Sequence, residues 1–214
     1  MGVEIGSPAG EAPSQASDGK APRTARGERT LRKLLDAARD EFADCGYSES
    51  SIVGITQRAG VALGTFYTYF DSKEALFQAL VRDMSAQVRD HVAPALAGAA
   101  DALDAERRAL EAFLNFAREH RQVYRIIDEA EFVDPSAYRE HYETTARRIA
   151  RRLSTARSNG DLDADLTDAE LEILSWAIMG ANVFLGLRYA VWSDGNAGQV
   201  AQVASRLLRR GLKP

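Results

Sequence analysis

Residues 34–80 are LLDAARDEFADCGYSESSIVGITQRAGVALGTFYTYFDSKEALFQAL, a stretch with helical periodicity throughout. Apolar residues from Leu31 to Phe42 recur at intervals of three and four, which is the spacing of one helix face. Gly46 then predicts the end of this first helix, because glycine readily adopts the left-handed backbone that terminates many helices.

Two short helices are predicted next, over about residues 51–58 and 63–70, separated by Ala59-Gly60-Val61. Two helices joined by a short turn that contains glycine form the helix-turn-helix pattern. A further helix is predicted to begin at Asp71 as its N-cap, with Glu74 three residues later as in a capping box. The pattern therefore indicates a small helical unit that presents one short helix to a groove of DNA.

The stretch from Leu34 to Leu80 resembles the N-terminal domain of the TetR family of transcriptional regulators. The resemblance rests on landmarks in the family's order: Ala37-Ala38, Phe42, Gly46-Tyr47, Ile55, Ala59-Gly60-Val61, Gly64-Thr65, Tyr67, Phe70, Lys73-Glu74 and Leu76. It implies an all-α protein, with about nine helices by pattern, that joins a three-helix helix-turn-helix domain to a helical ligand-binding and dimerisation domain. We expect a disordered tail at residues 1–25, a DNA-binding domain at 26–75 and a regulatory domain at 76–214.

The second short helix is long enough to lie in the major groove, and its residues divide into two faces. Val61, Phe66 and Phe70 can form the core face. The side chains left for DNA are Leu63, Thr65, Tyr67, Thr68 and Tyr69, while Gly64 permits close approach of the backbone. Ala62 stands where the family usually has serine, and Leu63 stands where a polar residue is frequent. Leu63 can contact a thymine methyl group.

The resemblance also implies roles for individual side chains at this surface. Tyr67, Tyr69 and Lys73 are expected to contact phosphates, and Thr65 a phosphate or a base. Ser50 and Ser51 align with the family's pair of hydroxyl residues at the start of the first short helix, over about residues 51–58. A cation in the first turn of a helix opposes the helix dipole, so we expect Lys73 to have a partner such as a phosphate.

The chain has 27 basic and 31 acidic residues, a net charge of −4 and a pI near 5.5. This balance excludes a protein that coats DNA by bulk charge, but local potential still governs specific binding. Residues 20–39 hold seven basic and two acidic side chains. A basic arm of this kind, which includes Arg26, can reach a minor groove or the phosphates. A solvated linker is an equally typical interpretation.

A single cysteine excludes a disulfide framework and a Cys-rich zinc module, and it is typical of a reducing cytoplasm. Residues 1–19 lack the basic and apolar regions of a signal peptide. Residues 173–187 are uncharged, but they are too few and too polar for a membrane span. We therefore expect a cytoplasmic protein without a membrane partner.

The C-terminal part is predicted as a series of helices that ends with two long ones, at about 168–192 and 197–210. Thr167 and Glu170 form a capping box before the first of them. That helix is apolar on two faces, and its small residues Gly180, Ala181 and Gly186 would allow another helix to approach closely. The resemblance implies a homodimer through these two helices, which suits a twofold reader of two half-sites. The alternative is a helix fully buried in a monomer.

Aromatic residues at helical spacing in this part suggest an apolar pocket with a few polar groups. The expected ligand-binding residues are Phe113, Phe116, Tyr124, Tyr142, Trp176, Met179, Asn182 and Phe184, with Phe132 and Tyr138 as further candidates. The same residues could be ordinary core. The acidic run Asp128, Glu129 and Glu131 could attract a cation but is typical of a solvated face. The basic run 147–152 could meet an anionic headgroup but is typical of surface ion pairs.

These patterns favour a ligand-responsive transcriptional regulator rather than an enzyme. The histidines lack metal-ligand spacing, no Gly-rich phosphate loop is present, and no catalytic residue, cofactor or metal site is expected. The predicted partners are a palindromic double-stranded DNA operator, a second copy of the chain and a small apolar or amphipathic effector. By family analogy the effector could be fatty-acyl or a CoA thioester. The alternative is a helical adaptor that binds only protein.

Overall fold

The computed structural model describes residues 22 and 24–212, so the expected tail at residues 1–25 lies almost wholly outside the described residues. Within the described part the chain forms helices and no strand, as predicted. The nine α-helices are α1 (Ala25–Glu49), α2 (Ile52–Ala59), α3 (Leu63–Tyr69), α4 (Lys73–Val92), α5 (Ala102–Glu119), α6 (Gln122–Val133), α7 (Pro135–Ser158), α8 (Asp168–Gly186) and α9 (Ala197–Leu212). A 3₁₀ turn at Ala93–Leu96 follows α4, and a π turn at Leu187–Val191 follows α8.

The N-terminal helices begin and end where hydrogen bonding and backbone geometry allow. Gly46 has φ 80° and kinks α1 near its end, a conformation that favours glycine. Ser51 caps α2 by accepting a hydrogen bond from the Gly54 amide. The prediction that Asp71 caps α4 is wrong. The N-cap is Ser72, whose hydroxyl accepts from the Ala75 amide at 3.1 Å, so the helix starts one residue later.

One continuous core joins the N-terminal helices to the helices that follow. Phe42, Phe66 and Phe77 are fully buried, and the ring of Phe77 meets that of Phe42 edge-on at 5.3 Å. The same cluster includes Ile126 and Ile127 on α6. The hydrophobic contacts therefore continue across the expected domain boundary at 75–76, through α4 and α6.

The C-terminal helices pack in pairs, α7 against α8 and α5 against α9. Asp134 and Pro135 open α7 as expected, with the Asp134 carboxylate accepting from two amides, and the capping box of Thr167 and Glu170 opens α8. The structure extends α6 to 12 residues, beyond the short segment predicted around Tyr124–Ile127. The extension is explained by Ala130, which is fully buried one turn beyond Ile126 and continues its apolar face.

The apolar helix α8 has two different faces. Leu171, Ser175 and Ile178 are buried against the rest of the chain, whereas Ile173 and Phe184 are 68% and 71% exposed. By length and hydropathy alone, the described helix Asp168–Val191 meets the requirement for a membrane span, because it is longer than the uncharged stretch 173–187. Its composition is equally explained by packing on one face and an apolar surface on the other.

Candidate nucleic-acid interface and effector cavity

Helix α3 presents one face to solvent and anchors the other in the core. Phe66 is fully buried, whereas Leu63 and Tyr67 are 45% and 50% exposed. The space around the missing Cβ of Gly64 contains no atom within 4 Å. The fold itself therefore does not require glycine there, and the position remains open to an approaching backbone. The division of α3 into a core face and an outward face follows the prediction, and the DNA contacts of the outward face stay predictions.

Two of the expected DNA-contacting hydroxyls have partners inside the protein. Tyr69 Oη donates to the Gly27 carbonyl at 3.2 Å, which ties α3 to the start of α1. Ser50 is buried and its hydroxyl donates to the Tyr47 carbonyl at 2.7 Å. Ser51 is exposed as the cap of α2. Of the serine pair, only Ser51 is placed to meet a phosphate.

The ammonium group of Lys73 lies against the end of α1. Its Nζ donates to the carbonyls of Tyr47 at 2.7 Å and Ser50 at 2.9 Å, and it lies 4.3 Å from the centre of the Tyr47 ring. These carbonyls satisfy the cation that the helix dipole of α4 disfavours. The expectation that the α4 dipole calls for a phosphate beside Lys73 is therefore wrong, because the protein already supplies acceptors. Lys73 holds the α1–α2 junction against α4.

Basic side chains on α1 lie beside this surface. Arg26, Arg29 and Lys33 are exposed, and none of them forms an ion pair with another described residue. Arg32 is different, because it makes a two-pronged contact with Asp83 of α4 at 2.8 and 2.7 Å. The expected positive arm is thus partly neutralised by α4, and Lys20 and Arg23 lie outside the described residues.

Two substitutions on α3 distinguish contacts to phosphates, which position the protein on the duplex, from contacts to bases, which set the preferred sequence. Tyr67→Phe removes one hydroxyl and should lower affinity for all duplexes by a similar factor, about 2- to 10-fold for one hydrogen bond. Leu63→Ser should instead change which base is preferred, because its side chain is predicted to meet base edges. Binding of both variants to a panel of single-base operator changes measures this. A uniform loss for Leu63→Ser would contradict the assignment.

A cavity of about 190 Å³ lies between the C-terminal helices. Five of the expected ligand-binding residues line it, namely Phe113, Tyr124, Tyr142, Met179 and Asn182. The other three lie elsewhere. Phe116 is buried in the core shared with the N-terminal helices, and Trp176 and Phe184 are exposed on α8. For Trp176 and Phe184, helical periodicity could not distinguish the cavity from the surface, because the two apolar faces of α8 look alike in sequence.

The aromatic wall of the cavity depends on Gly186. The Tyr124 hydroxyl donates to the Val183 carbonyl at 2.9 Å, and burial raises the pKa of this tyrosine. A Cβ at position 186 would lie 2.0 Å from that hydroxyl and 2.9 Å from the Phe113 ring. The expectation that Gly186 serves a partner helix is therefore wrong, since the glycine makes room for Tyr124 of its own chain.

Polar groups in the cavity are concentrated on α7. His141 Nδ1 shares a 2.6 Å hydrogen bond with the Ser85 hydroxyl, which donates to the Val81 carbonyl. Because that hydroxyl has one proton, His141 is the donor in the shared bond. Burial lowers the pKa of His141 to about 4, so the ring is neutral. Arg152 pairs with Glu106, which is only 2% exposed.

Helix α6 joins the cavity to the helix-turn-helix. The Glu129 carboxylate of α6 accepts from the Tyr47 amide at 2.9 Å, and Arg125 donates to the Ala43 carbonyl. A side chain at Gly46 would lie 3.0 Å from Glu129, so this contact also needs the glycine. The neighbouring residues Tyr124 and Asp128 line the cavity. Glu129 is thus not part of a solvated face, and sequence reasoning missed it because its partner is 82 residues away.

An apolar groove of about 740 Å³ runs between α8 and α9. Its exposed side chains include Phe184, Val203 and Leu207, which are 71%, 51% and 75% exposed. Phe184 therefore lines this groove rather than the inner cavity. A surface of this size and composition is typical of a face that a partner covers.

Comparison with known proteins gives a consistent result for the N-terminal segment. The sequence model described as "Bacterial regulatory proteins, tetR family" matches residues 34–80. The transcriptional activator FasR of Mycolicibacterium smegmatis is 35% identical over 101 residues, which cover 47% of this chain and 46% of that protein. The chain spans about a third of the length of the first curated relatives that it matches.

Solved structures extend the likeness to most of the chain. A TetR-like transcriptional regulator from Rhodococcus sp. RHA1 has a TM-score of 0.65 and 25% identity, over 87% of this chain and 98% of that chain. FadR from Bacillus subtilis in complex with stearoyl-CoA has a TM-score of 0.74 and 18% identity, over 84% and 98%, and it shares the fold. The helix-turn-helix segment is therefore similar in sequence to the tetR family of bacterial regulatory proteins, and the helical fold is similar in structure to a TetR-like transcriptional regulator.

Proposed function

We propose that the chain is a cytoplasmic transcriptional repressor that binds a palindromic operator as a homodimer and is released by a small apolar or amphipathic effector. The single observation that carries this proposal is the outward face of α3, with Leu63 and Tyr67 exposed and Phe66 buried beneath them. A helix held in this way can enter the major groove without losing its packing. The relatives BetI and FasR are transcriptional regulators, which supports the same role.

Dimerisation is proposed through the groove between α8 and α9. One recognition helix of seven residues reads too few bases for a unique site, so a twofold dimer is needed. The exposed Phe184 and Leu207 supply the apolar contact that a second copy would bury. A dimer with recognition helices about 34 Å apart matches one turn of the duplex.

Effector response is proposed to pass from the inner cavity to α3 by two elements. Helix α4 lines the cavity with Ser85 and Val88 and begins beside the recognition helix. Helix α6 lines it with Tyr124 and holds the α1–α2 junction through Glu129. A ligand that moves either helix changes the separation of the two recognition helices. The stearoyl-CoA in the FadR complex makes a fatty-acyl thioester one candidate effector.

Selection from a pool of randomised duplexes tests this function. We expect enrichment of a palindrome, with affinity that falls steeply as salt increases because lysines and arginines displace counterions. Cellular extract enriched in small molecules should weaken that binding. A protein that enriches no duplex and only captures other proteins would be the helical adaptor. An effector that strengthens operator binding would contradict the proposed release from DNA.

The α6 contact makes a prediction that needs no ligand. Glu129→Ala removes the acceptor of the Tyr47 amide. The free energy of unfolding should therefore fall by about 1.5–3 kcal/mol, as for the loss of a hydrogen bond to a charged group. Hydrogen exchange at the Tyr47 amide should become faster and operator affinity should fall. Glu131→Ala is the matched control, since Glu131 is exposed on the same helix. Unchanged exchange at Tyr47 in the Glu129 variant would argue against this connection.

A further inference from the structure

The arginines of α7 differ sharply in what they contact. Arg147 pairs with Glu143 at 3.4 Å on the surface, and Arg152 pairs with Glu106. Arg148 lines the cavity and has neither an ion pair nor a hydrogen bond with any residue in the described part of the chain. One guanidinium therefore faces the cavity with its donors unused.

The surroundings of Arg148 are mainly positive. Burial lowers the pKa of Arg148, and the nearby charges of Arg89 and Arg152 lower it further. Arg89 is held by Asp90 at 2.7 Å and Arg152 by Glu106 at 2.5 Å, so these two pairs are neutral overall. One unbalanced positive charge remains, at Arg148. A ligand with a single negative charge would neutralise it, whereas a phosphate monoester would bring nearly two.

The opposite end of the cavity has a different character. Tyr124 and Tyr142 lie there, and the charge of Asp128 contributes to raising the pKa of both. Arg148 lies six residues beyond Tyr142 on α7, which is about 9 Å along the helix axis. The apolar side chains that line the same cavity include Phe113, Ile127 and Met179.

The size of the cavity limits the ligand. Its volume is about 190 Å³. Pockets for drug-sized molecules usually measure about 300–1,000 Å³. A long-chain CoA thioester is far larger than this cavity, whereas a short acid is of comparable size.

We propose that the effector is a short amphipathic monocarboxylic acid, with its carboxylate paired to Arg148 and its chain among the apolar side chains of the cavity. The proposal rests on the proposed effector site and names the ligand class for it. A guanidinium can hold a carboxylate through two parallel hydrogen bonds, which fixes the orientation of the acid. The tyrosines then meet the far end of the chain.

Calorimetric titration of the full chain with hexanoate, hexanol and hexanoyl-CoA tests the proposal. We expect hexanoate to bind, hexanol to bind at least tenfold more weakly, and Arg148→Gln to weaken hexanoate by about 10- to 100-fold while leaving hexanol unchanged. Arg148→Lys should restore part of the affinity. Arg151→Gln is the matched control, because Arg151 is exposed three residues along and does not line the cavity.

Each contrary result has a definite meaning. Equal binding of acid and alcohol, or of hexanoate to wild type and Arg148→Gln, would overturn the role of Arg148. Binding of the thioester without the acid, or of none of the three, would overturn the ligand class. The melting temperature of Arg148→Gln should not fall, because the substitution relieves repulsion among arginines. A clear drop would assign Arg148 a structural role instead.

Measuring operator binding with and without hexanoate distinguishes a failure of the proposed regulator from a failure of the proposed ligand class. If hexanoate binds through Arg148 but does not change affinity for a selected duplex, the effector response fails while the site stands. If the duplex is bound and no acid binds, the ligand class fails while the regulator stands.

Discussion

Replacing Arg152 by leucine will lower the free energy of unfolding by about 3–5 kcal/mol, the usual cost of leaving a buried charge without its partner. Glu106 is 2% exposed, and both of its carboxylate oxygens accept from Arg152, at 2.5 and 3.0 Å. Without the guanidinium, Glu106 must remain charged in an apolar environment or take up a proton. Chemical denaturation of purified protein measures the loss.

Two further variants show whether the loss comes from the orphaned carboxylate. Adding Glu106→Gln to Arg152→Leu should recover most of the stability, because the buried negative charge is gone. Arg151→Leu should change stability by less than about 0.5 kcal/mol, since Arg151 is an exposed neighbour on the same helix. A double variant as unstable as Arg152→Leu alone would show that packing, and not charge, is responsible.

Replacing Gly186 by alanine will also destabilise the protein, by about 1–3 kcal/mol, as expected for overpacking. The new Cβ would lie 2.0 Å from the Tyr124 hydroxyl, so the ring must move and the hydrogen bond to Val183 must break. The displaced ring would enter the cavity and weaken effector binding. Thermal unfolding and a ligand titration measure the two effects.

Gly180→Ala is the control for this prediction. It makes the same change in the same helix, but apart from the neighbouring backbone of α8 no atom lies within 4 Å of the added Cβ. Alanine there should stabilise an isolated chain by about 0.5–1 kcal/mol through its better helix propensity. If both glycine variants change stability alike, Tyr124 is not the reason that residue 186 is glycine.

Local chemistry in the sequence was sufficient to predict most helix boundaries. Asp134 with Pro135, and Thr167 with Glu170, cap the helices that follow them, as expected from side chains that bond to nearby amides. The end of α2 at Gly60 likewise follows from a left-handed residue with φ 65°. These features depend on residues within one turn, so the sequence contains all the information needed.

Contacts between distant residues could not be predicted in the same way. Glu129 and Arg148 each belong to a run of like charges that is typical of a solvated surface. Their roles depend on helix packing, since Arg147 and Arg148 are adjacent in sequence and yet only Arg148 lines the cavity. The two faces of α8 were equally ambiguous, so the sequence could not show that Trp176 and Phe184 lie on the exposed face, outside the inner cavity.

Lys73 illustrates a related limit. Its position in the first turn of α4 correctly indicated that a cation there needs an acceptor. The acceptors are the carbonyls of Tyr47 and Ser50 at the end of α1, 2.7 and 2.9 Å away. The electrostatic requirement was visible in the sequence, but the partner that satisfies it was visible only in the fold.

In the proposed dimer two copies of α3 read two half-sites at once, and inserting about half a helical turn of DNA between the half-sites tests this arrangement. Anisotropy titrations would compare the selected palindrome with the same duplex lengthened by about five base pairs at its centre. The insertion moves one half-site to the opposite face of the duplex, so we expect affinity to fall to that of a single half-site. Equal affinity for both duplexes would contradict it.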